Sequence, residues 1–344
     1  ELRELRNAPG LYLFIPLILL QTLGSTAVAL GPFGTFLLAT PGGIAVRMMN
    51  TLSLLIGFLL LFYTVESHQR EQNTGLAPIF DATPVRTASV LFGKSVANAV
   101  VGVGVLVGCF IGAAIVILVQ GQVKLTIWPF VLTWGLLLVP TFLVWACYVM
   151  AVVAITRNRY ATYGIGLATL ALTGWLQVRG KMNWVFNWDI WNAVRWSDMG
   201  TFQMDRSAIV LNRLLVLTLA VFFVVVAVRF HGRRDADAVR IIHRLRPVAL
   251  WKTALHLAPY AAVPAILATV LGVRVSRGPE SEFVKKKSHD YWKQNLATWK
   301  DAPQPEIVDV AVKLKLDPMK SHFATEGKFT LRSPYDAPLK RFAL

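Results

Sequence analysis

Residues that could carry chemistry are sparse in this chain of 344 residues, and none falls at a spacing that makes a reaction centre. The six histidines (His68, His231, His243, His256, His289 and His322) are scattered, and no His-Glu-x-x-His pair occurs to hold a catalytic zinc. The two cysteines, Cys109 and Cys147, lie inside apolar runs, where a thiol serves as a small core group; no disulfide framework or thiolate ligand set can be built from them. Gly93-Lys94-Ser95 has the end of a phosphate-cradling loop, but Ala88 stands where the motif needs its first glycine. An apolar run follows in place of a soluble helix, so Lys94 marks the cytoplasmic edge of a membrane span. No catalytic residue, no metal-ligand set and no cofactor site is expected in this chain.

What remains is a concentration of polar residues between two apolar runs, Glu66–Ser95. Helix-forming residues extend to about Asn73, and Thr74-Gly75 interrupts them. Leu76, Ile79 and Phe80 could lie on the bilayer while Glu66, Arg70, Glu71 and Asp81 face water. Connections of this length in compact proteins usually carry a function. Charged rims around a few apolar anchors suit contact with a soluble partner.

The elements that must position this segment are transmembrane. The chain is 55% hydrophobic and 16% charged, which points to a polytopic membrane protein rather than a soluble domain. A span needs about 20 mainly apolar residues. About seven segments meet that measure: Leu11–Leu30, Ile44–Thr64, Val96–Val119, Trp128–Ile155, Ala161–Gln177, Ala208–Val228 and Thr253–Val273. The net charge of +16 reads as topology, not as nucleic-acid binding. With the N-terminus in the cytoplasm, about fourteen basic residues fall inside against about six in short outer loops. The expected location is the plasma (inner) membrane, with the segment after Val273 extracytoplasmic.

Four further features complete the reading. Trp184, Trp188, Trp191 and Trp196 crowd a segment too polar to cross, which predicts a short interfacial or re-entrant helix on the outer side, as an aromatic belt or a gate. Arg229–Lys252 has the pattern of a basic amphipathic helix that anionic lipids attract. The runs Val96–Val119, Trp128–Ile155 and Thr253–Val273 contain no Asp, Glu, Lys or Arg, while Arg213 lies near enough to an interface to snorkel. Ion-coupled carriers keep buried ionisable groups, so these runs argue for energy delivered from outside the bundle. Gly102, Gly104, Gly108, Gly112, Ala113 and Ala114 favour close packing along Val96–Val119.

Beyond the last span, Glu280–Lys300 is polar and Lys-rich, with Tyr291 and Trp292 as surface anchors. From Ile307 the pattern alternates, with Val308, Val310, Val312, Leu314 and Leu316 on one face. Phe323, Thr325, Gly327, Phe329 and Leu331 repeat the alternation, and Ser333-Pro334-Tyr335-Asp336 supplies a turn. Glu1 at one end and a strand-like Leu344 at the other read as a fragment of a longer polypeptide. The expected parts are a membrane domain over 1–229, a basic surface helix and additional span over 230–275, a linker over 276–306 and the first strands of a β domain over 307–344.

On these residues the chain resembles a type-2 ABC exporter permease (ABC-2 type) over roughly Glu1–Arg229. The matching features are the surface helix ELRELRN, the second span running into Glu66 and Arg70, the stretch DATPVRTASVLFGKS and the Trp-rich outer segment. The resemblance implies an all-α bundle of about seven spans followed by an antiparallel β domain. It implies a separate ABC ATPase subunit, with ATP bound there, contacting Glu66, Arg70, Glu71, Asp81, Pro84, Arg86 and Lys94. It also implies a second permease half, either upstream in the same chain or from a homodimer partner. The tail IVDVAVKLKLDPMKSHFATEGKFTLRSPYDAPLKRFAL is similar to the opening strands of an aminopeptidase-N-like (family M1) metallopeptidase, whose zinc domain would lie beyond Leu344. The alternative within this reading is a membrane platform that anchors such a peptidase and transports nothing.

Overall fold

The computed structural model describes residues 40–76, 79, 82–194, 196, 202, 206–231, 247–277, 282–299, 304–317 and 322–335, with single positions at 16, 18, 20 and 24. Its helices are α1 (Pro41–Asn73), α2 (Thr87–Gln120), α3 (Trp128–Thr156), α4 (Arg159–Val178), α5 (Arg206–Phe230), α6 (Pro247–Arg277) and α7 (Glu282–Trp299), followed by strands β1 (Glu306–Asp317) and β2 (His322–Arg332). Contacts divide the chain into two compact units, Glu1–Trp196 with Phe202–Gly272, and Ser197–Thr201 with Val273–Leu344.

Five of the described helices are long and apolar enough to cross a membrane: the Pro41–Glu71 part of α1, then α2, α3, α5 and the Thr253–Arg277 part of α6. The expected count of seven is therefore met only in part. Ala161–Gln177 does form a helix, α4, of 20 residues, but its Tyr, Thr and Gly residues leave it short of the apolarity of the five. Leu11–Leu30 lies, apart from single positions, outside the described residues, as do Asp81, Arg195 and most of the basic segment 229–252.

The core of the first unit is where α1, α2, α3 and α5 meet. Along α1, Met48, Met49, Leu52, Ile56, Leu59, Leu60 and Leu61 are out of solvent. Two indoles of α3 fix its register on α1: Trp134 Nε1 donates to the Ala45 carbonyl at 2.9 Å and Trp145 Nε1 to the Gly57 carbonyl at 2.8 Å. The two acceptors are 12 residues apart and the two donors 11, so the helices run parallel. The small residues of α2 work as their pattern suggests. Gly102, Gly112 and Ala113 are buried, and a Cβ at Gly102 would stand 2.9 Å from the Phe142 ring and 3.1 Å from Ile56. Gly104 faces open space. Cys109 and Cys147 are buried and form no disulfide with each other, the expected small core residues.

Within α3, Val131–Leu138 is wound as a π-helix. Pro140, just inside the α-helical turns that follow, has no N–H to give a carbonyl of the preceding turn. Wide turns of this kind relieve such a mismatch and expose carbonyls to other donors.

In the second unit β1 and β2 pair antiparallel, as the alternation predicts. Val310, Val312, Leu314 and Leu316 stand opposite Phe329, Gly327, Thr325 and Phe323, and Lys313 stands opposite Glu326. An irregularity between Ile307 and Asp309 leaves Val308 outside the register, so Ile307, not Val308, pairs with Leu331.

Candidate functional site

Polar side chains gather at both ends of the first unit. At one end, α1 finishes and α2 begins. The expected 66–95 loop is shorter than the sequence suggests, because Glu66–Asn73 continues α1 and Thr87–Ser95 already belongs to α2. Helix-forming residues carry α1 on until Thr74-Gly75, where Gly75 adopts φ 71°. The connection proper is 74–86, and it exposes Leu76, Ile79, Val85, Pro84 and Arg86.

The expected coupling residues have unlike surroundings. Glu66 is exposed and accepts from Tyr163 Oη of α4 at 3.1 Å. Arg70 is half-exposed, and Asp81 lies outside the described residues. Lys94 is only 5% exposed. Its ammonium donates to Glu71 Oε1 and Oε2 at 2.5 and 2.6 Å and to the Ser67 carbonyl at 2.8 Å. The structure therefore turns Lys94 and Glu71 inward as a lock between the end of α1 and the start of α2, and leaves Arg70, Pro84 and Arg86 at the surface.

Three other helix ends close on the same region. Asn158 caps α4 by accepting from the N–H groups of Tyr160 and Ala161. Arg157, the residue that ends α3 in a left-handed turn (φ 52°), donates to the Phe230 carbonyl at the end of α5 at 3.3 Å. His68 of α1 and His231 just past α5 meet edge to face with ring centroids 5.5 Å apart. Two of the histidines that look scattered in the sequence are thus neighbours. Among the described residues no group of three or more His, Cys, Asp or Glu could hold a metal ion.

At the opposite end, Asn212 and Arg213 of α5 are 0% and 4% exposed. The expectation that Arg213 snorkels to an interface is corrected: its guanidinium stays inside the bundle because acceptors converge on it there. Nη1 donates to the Leu137 carbonyl at 2.6 Å and to Thr141 Oγ1 at 2.9 Å, both beside the π-helical turn. Nη2 donates to the Trp188 carbonyl at 2.9 Å and to Asn212 Oδ1, and Nε donates to Asn212 Oδ1 at 3.0 Å. Asn212 Nδ2 donates to the carbonyls of Trp184 and Asn187. This clamp joins α3, α5 and the segment between α4 and α5.

That segment is not the helix the tryptophans suggest. Its described residues are turns: Asn183 Oδ1 captures the N–H groups of Val185 and Phe186, and Ile190 and Asn192 have φ of 56° and 51°. A right-handed helix cannot continue through either feature. Trp184 is buried, Trp188 stacks on Trp145 at 5.1 Å between centroids, Trp191 is half-buried, and Trp196 packs edge to face with Phe202. Asp189, 6% exposed, accepts from Gln177 Nε2 of α4 at 2.8 and 3.1 Å. Burial pushes its carboxyl above the usual carboxylate range, and the bonds from Gln177 and the nearby Arg213 only partly offset that. Sequence reasoning took Asp189, with Arg195, only as a polar member of the Trp-rich interfacial segment and passed over Asn212; the signal available was polar residues flanked by Trp and Leu, which also fits an exposed loop.

No protein-family model matches the chain, and no curated protein and no solved structure matches it either.

Proposed function

We propose that the chain is the membrane part of an ATP-driven exporter of the ABC-2 type, moved by a separate ATPase that docks on the 74–86 connection at the cytoplasmic face of an inner membrane. The observation that carries this reading is the Lys94–Glu71–Ser67 lock. A connection tied to both flanking helices by a buried ion pair passes a push to α1 and α2 together, whereas a floppy loop would absorb it. The surface left for docking combines apolar Leu76, Ile79 and Val85 with Arg70, Arg86 and Glu66, a mixture suited to a specific and reversible contact. Motion would then be a change in helix packing between two states that ATP favours unequally. In the purified complex, Arg70→Glu with Arg86→Glu should abolish stimulation of the ATPase by the permease while the bundle melts as before. Unchanged stimulation would refute docking at this connection.

A second reading draws on the 273–344 unit. There the apolar side of the β1–β2 hairpin is exposed, as it would be where a larger β domain continues it, and the membrane part would anchor an aminopeptidase-N-like domain without transporting anything. Under that reading the double substitution has no effect on any activity of the protein.

A further inference from the structure

Helix α7 is bare where its side chains are described: every residue from Lys286 to Gln294 is exposed, with Tyr291 at 62% and Trp292 at 65%. A helix of 18 residues draws little stability from its own backbone; most comes from burying one face against something. The sequence supplies such a face. Val284, Tyr291, Trp292 and Trp299 recur at i, i+7, i+8 and i+15, with Ser288 and Asn295 between them, which is the spacing of one helical stripe. Lys287 borders the stripe, and Lys286 and Lys293 fall outside it.

Connectivity, aromatic chemistry and charge together identify the surface that covers this stripe. Four residues separate Arg277, the last of α6, from Glu282. At no more than about 3.6 Å per residue, α7 starts within about 18 Å of the end of α6. The Thr253–Arg277 part of α6 is long and apolar enough to cross a membrane, and Arg274 and Arg277 stand exposed in its last turn. Cations at such a helix end belong at the headgroup boundary. Tyr and Trp are the aromatic side chains that favour the same boundary, having an apolar body and a polar tip. Between Lys286 and Gln294 three lysines stand against the single carboxylate of Asp290. The β1–β2 hairpin offers them no complement, because its four acidic residues (Glu306, Asp309, Asp317, Glu326) are balanced by Lys313, Lys315, Lys328 and Arg332. Anionic lipid headgroups do offer one.

We propose that α7 lies in the plane of the bilayer surface, with its Tyr291–Trp292 face among the headgroups of anionic phospholipids. Lys286, Lys287 and Lys293 then sit within range of the phosphates, since charge attraction reaches about 8 Å at physiological salt. Six residues join Trp299 to Glu306, so α7 would hold the root of the hairpin near the same surface. The inference rests on α6 entering the bilayer and not on the exporter reading.

The test uses the full chain in nanodiscs of phosphatidylcholine alone and of an equal mixture of phosphatidylcholine and phosphatidylglycerol. A spin label at Ser288→Cys, inside the stripe, is compared with one at Gln294→Cys, outside it; the native cysteines are buried. Power saturation separates the environments, because oxygen relaxes a label in lipid and a nickel chelate relaxes one in water. In the mixed discs the Ser288 label should be open to oxygen and closed to nickel, while the Gln294 label stays open to nickel. Lys286→Gln, Lys287→Gln and Lys293→Gln should each lower the ratio of lipid-buried to water-exposed label about fivefold. Gln keeps the helix propensity of Lys, so these variants decide the matter even if Tyr291→Ser with Trp292→Ser, expected to release Ser288 to water, unwinds α7. A Ser288 label open to nickel in the mixed discs overturns the proposal. So does a label closed to both reagents, which would mean that protein covers the stripe, or burial that is indifferent to phosphatidylglycerol and to all three lysines.

Discussion

Lys94 is the residue on which most of the local architecture turns. An ammonium inside a helical bundle is tolerated only when its partners are fixed, and here a carboxylate and a backbone carbonyl are. Lys94→Met would strand Glu71 and is expected to cost about 3 kcal/mol in unfolding measurements, with Glu71→Gln in the same protein recovering part of the loss. An equal cost in the single and double variants would show that the pair does not act as a unit. At the other end, Asp189 contributes with the opposite sign. Its carboxyl is raised by burial, so the folded protein holds this proton at pH values where the unfolded chain has released it. Stability should fall as pH rises from about 3.9, the ordinary carboxylate value, through the raised folded value, and level off above it. Asp189→Asn should flatten that slope in a pH series of thermal melts; a slope unchanged by the substitution would remove Asp189 as its source.

At the scale of elements, a few polar clamps at its ends tie the helices of the bundle together beside its apolar core. Arg213 ties the most parts together, because its guanidinium bonds reach α3, α5 and the turn segment at once. Arg213→Met would leave the Leu137 and Trp188 carbonyls without that donor and should cost about 3 kcal/mol. Amide hydrogen exchange should rise in 183–194 and around the π-helical turn, and not at the Lys94 end. Uniform exchange throughout would mean that the clamp serves general stability only. These clamps show why the sequence was only partly legible. Length and apolarity sufficed for the five apolar helices, alternation for the hairpin, and glycine spacing for the α2 face that meets Phe142. Arg213 was misjudged because its position relative to a helix end says nothing about acceptors contributed by Leu137, Thr141 and Trp188, far away in sequence. The tryptophan segment was misjudged because its aromatic content signals an interface, while the turn chemistry of Asn183, Ile190 and Asn192 decides its backbone.

At the scale of the whole molecule, four of the five described helices suited to crossing a membrane, α1, α2, α3 and α5, meet around one core, with a lock at one end and a clamp at the other. The 74–86 connection is the part of this bundle best placed to receive a push, being exposed at its tip and anchored at both roots. The measurement that bears most directly on this account is labelling of a single Ala82→Cys with a membrane-impermeant maleimide, in sealed vesicles of either orientation, with and without the ATPase removed by washing. Ala82 lies exposed in the connection. The account predicts labelling only where the cytoplasmic face is open to the reagent, and protection that disappears when the ATPase is stripped. Labelling from the opposite face, or labelling indifferent to the ATPase, would contradict it.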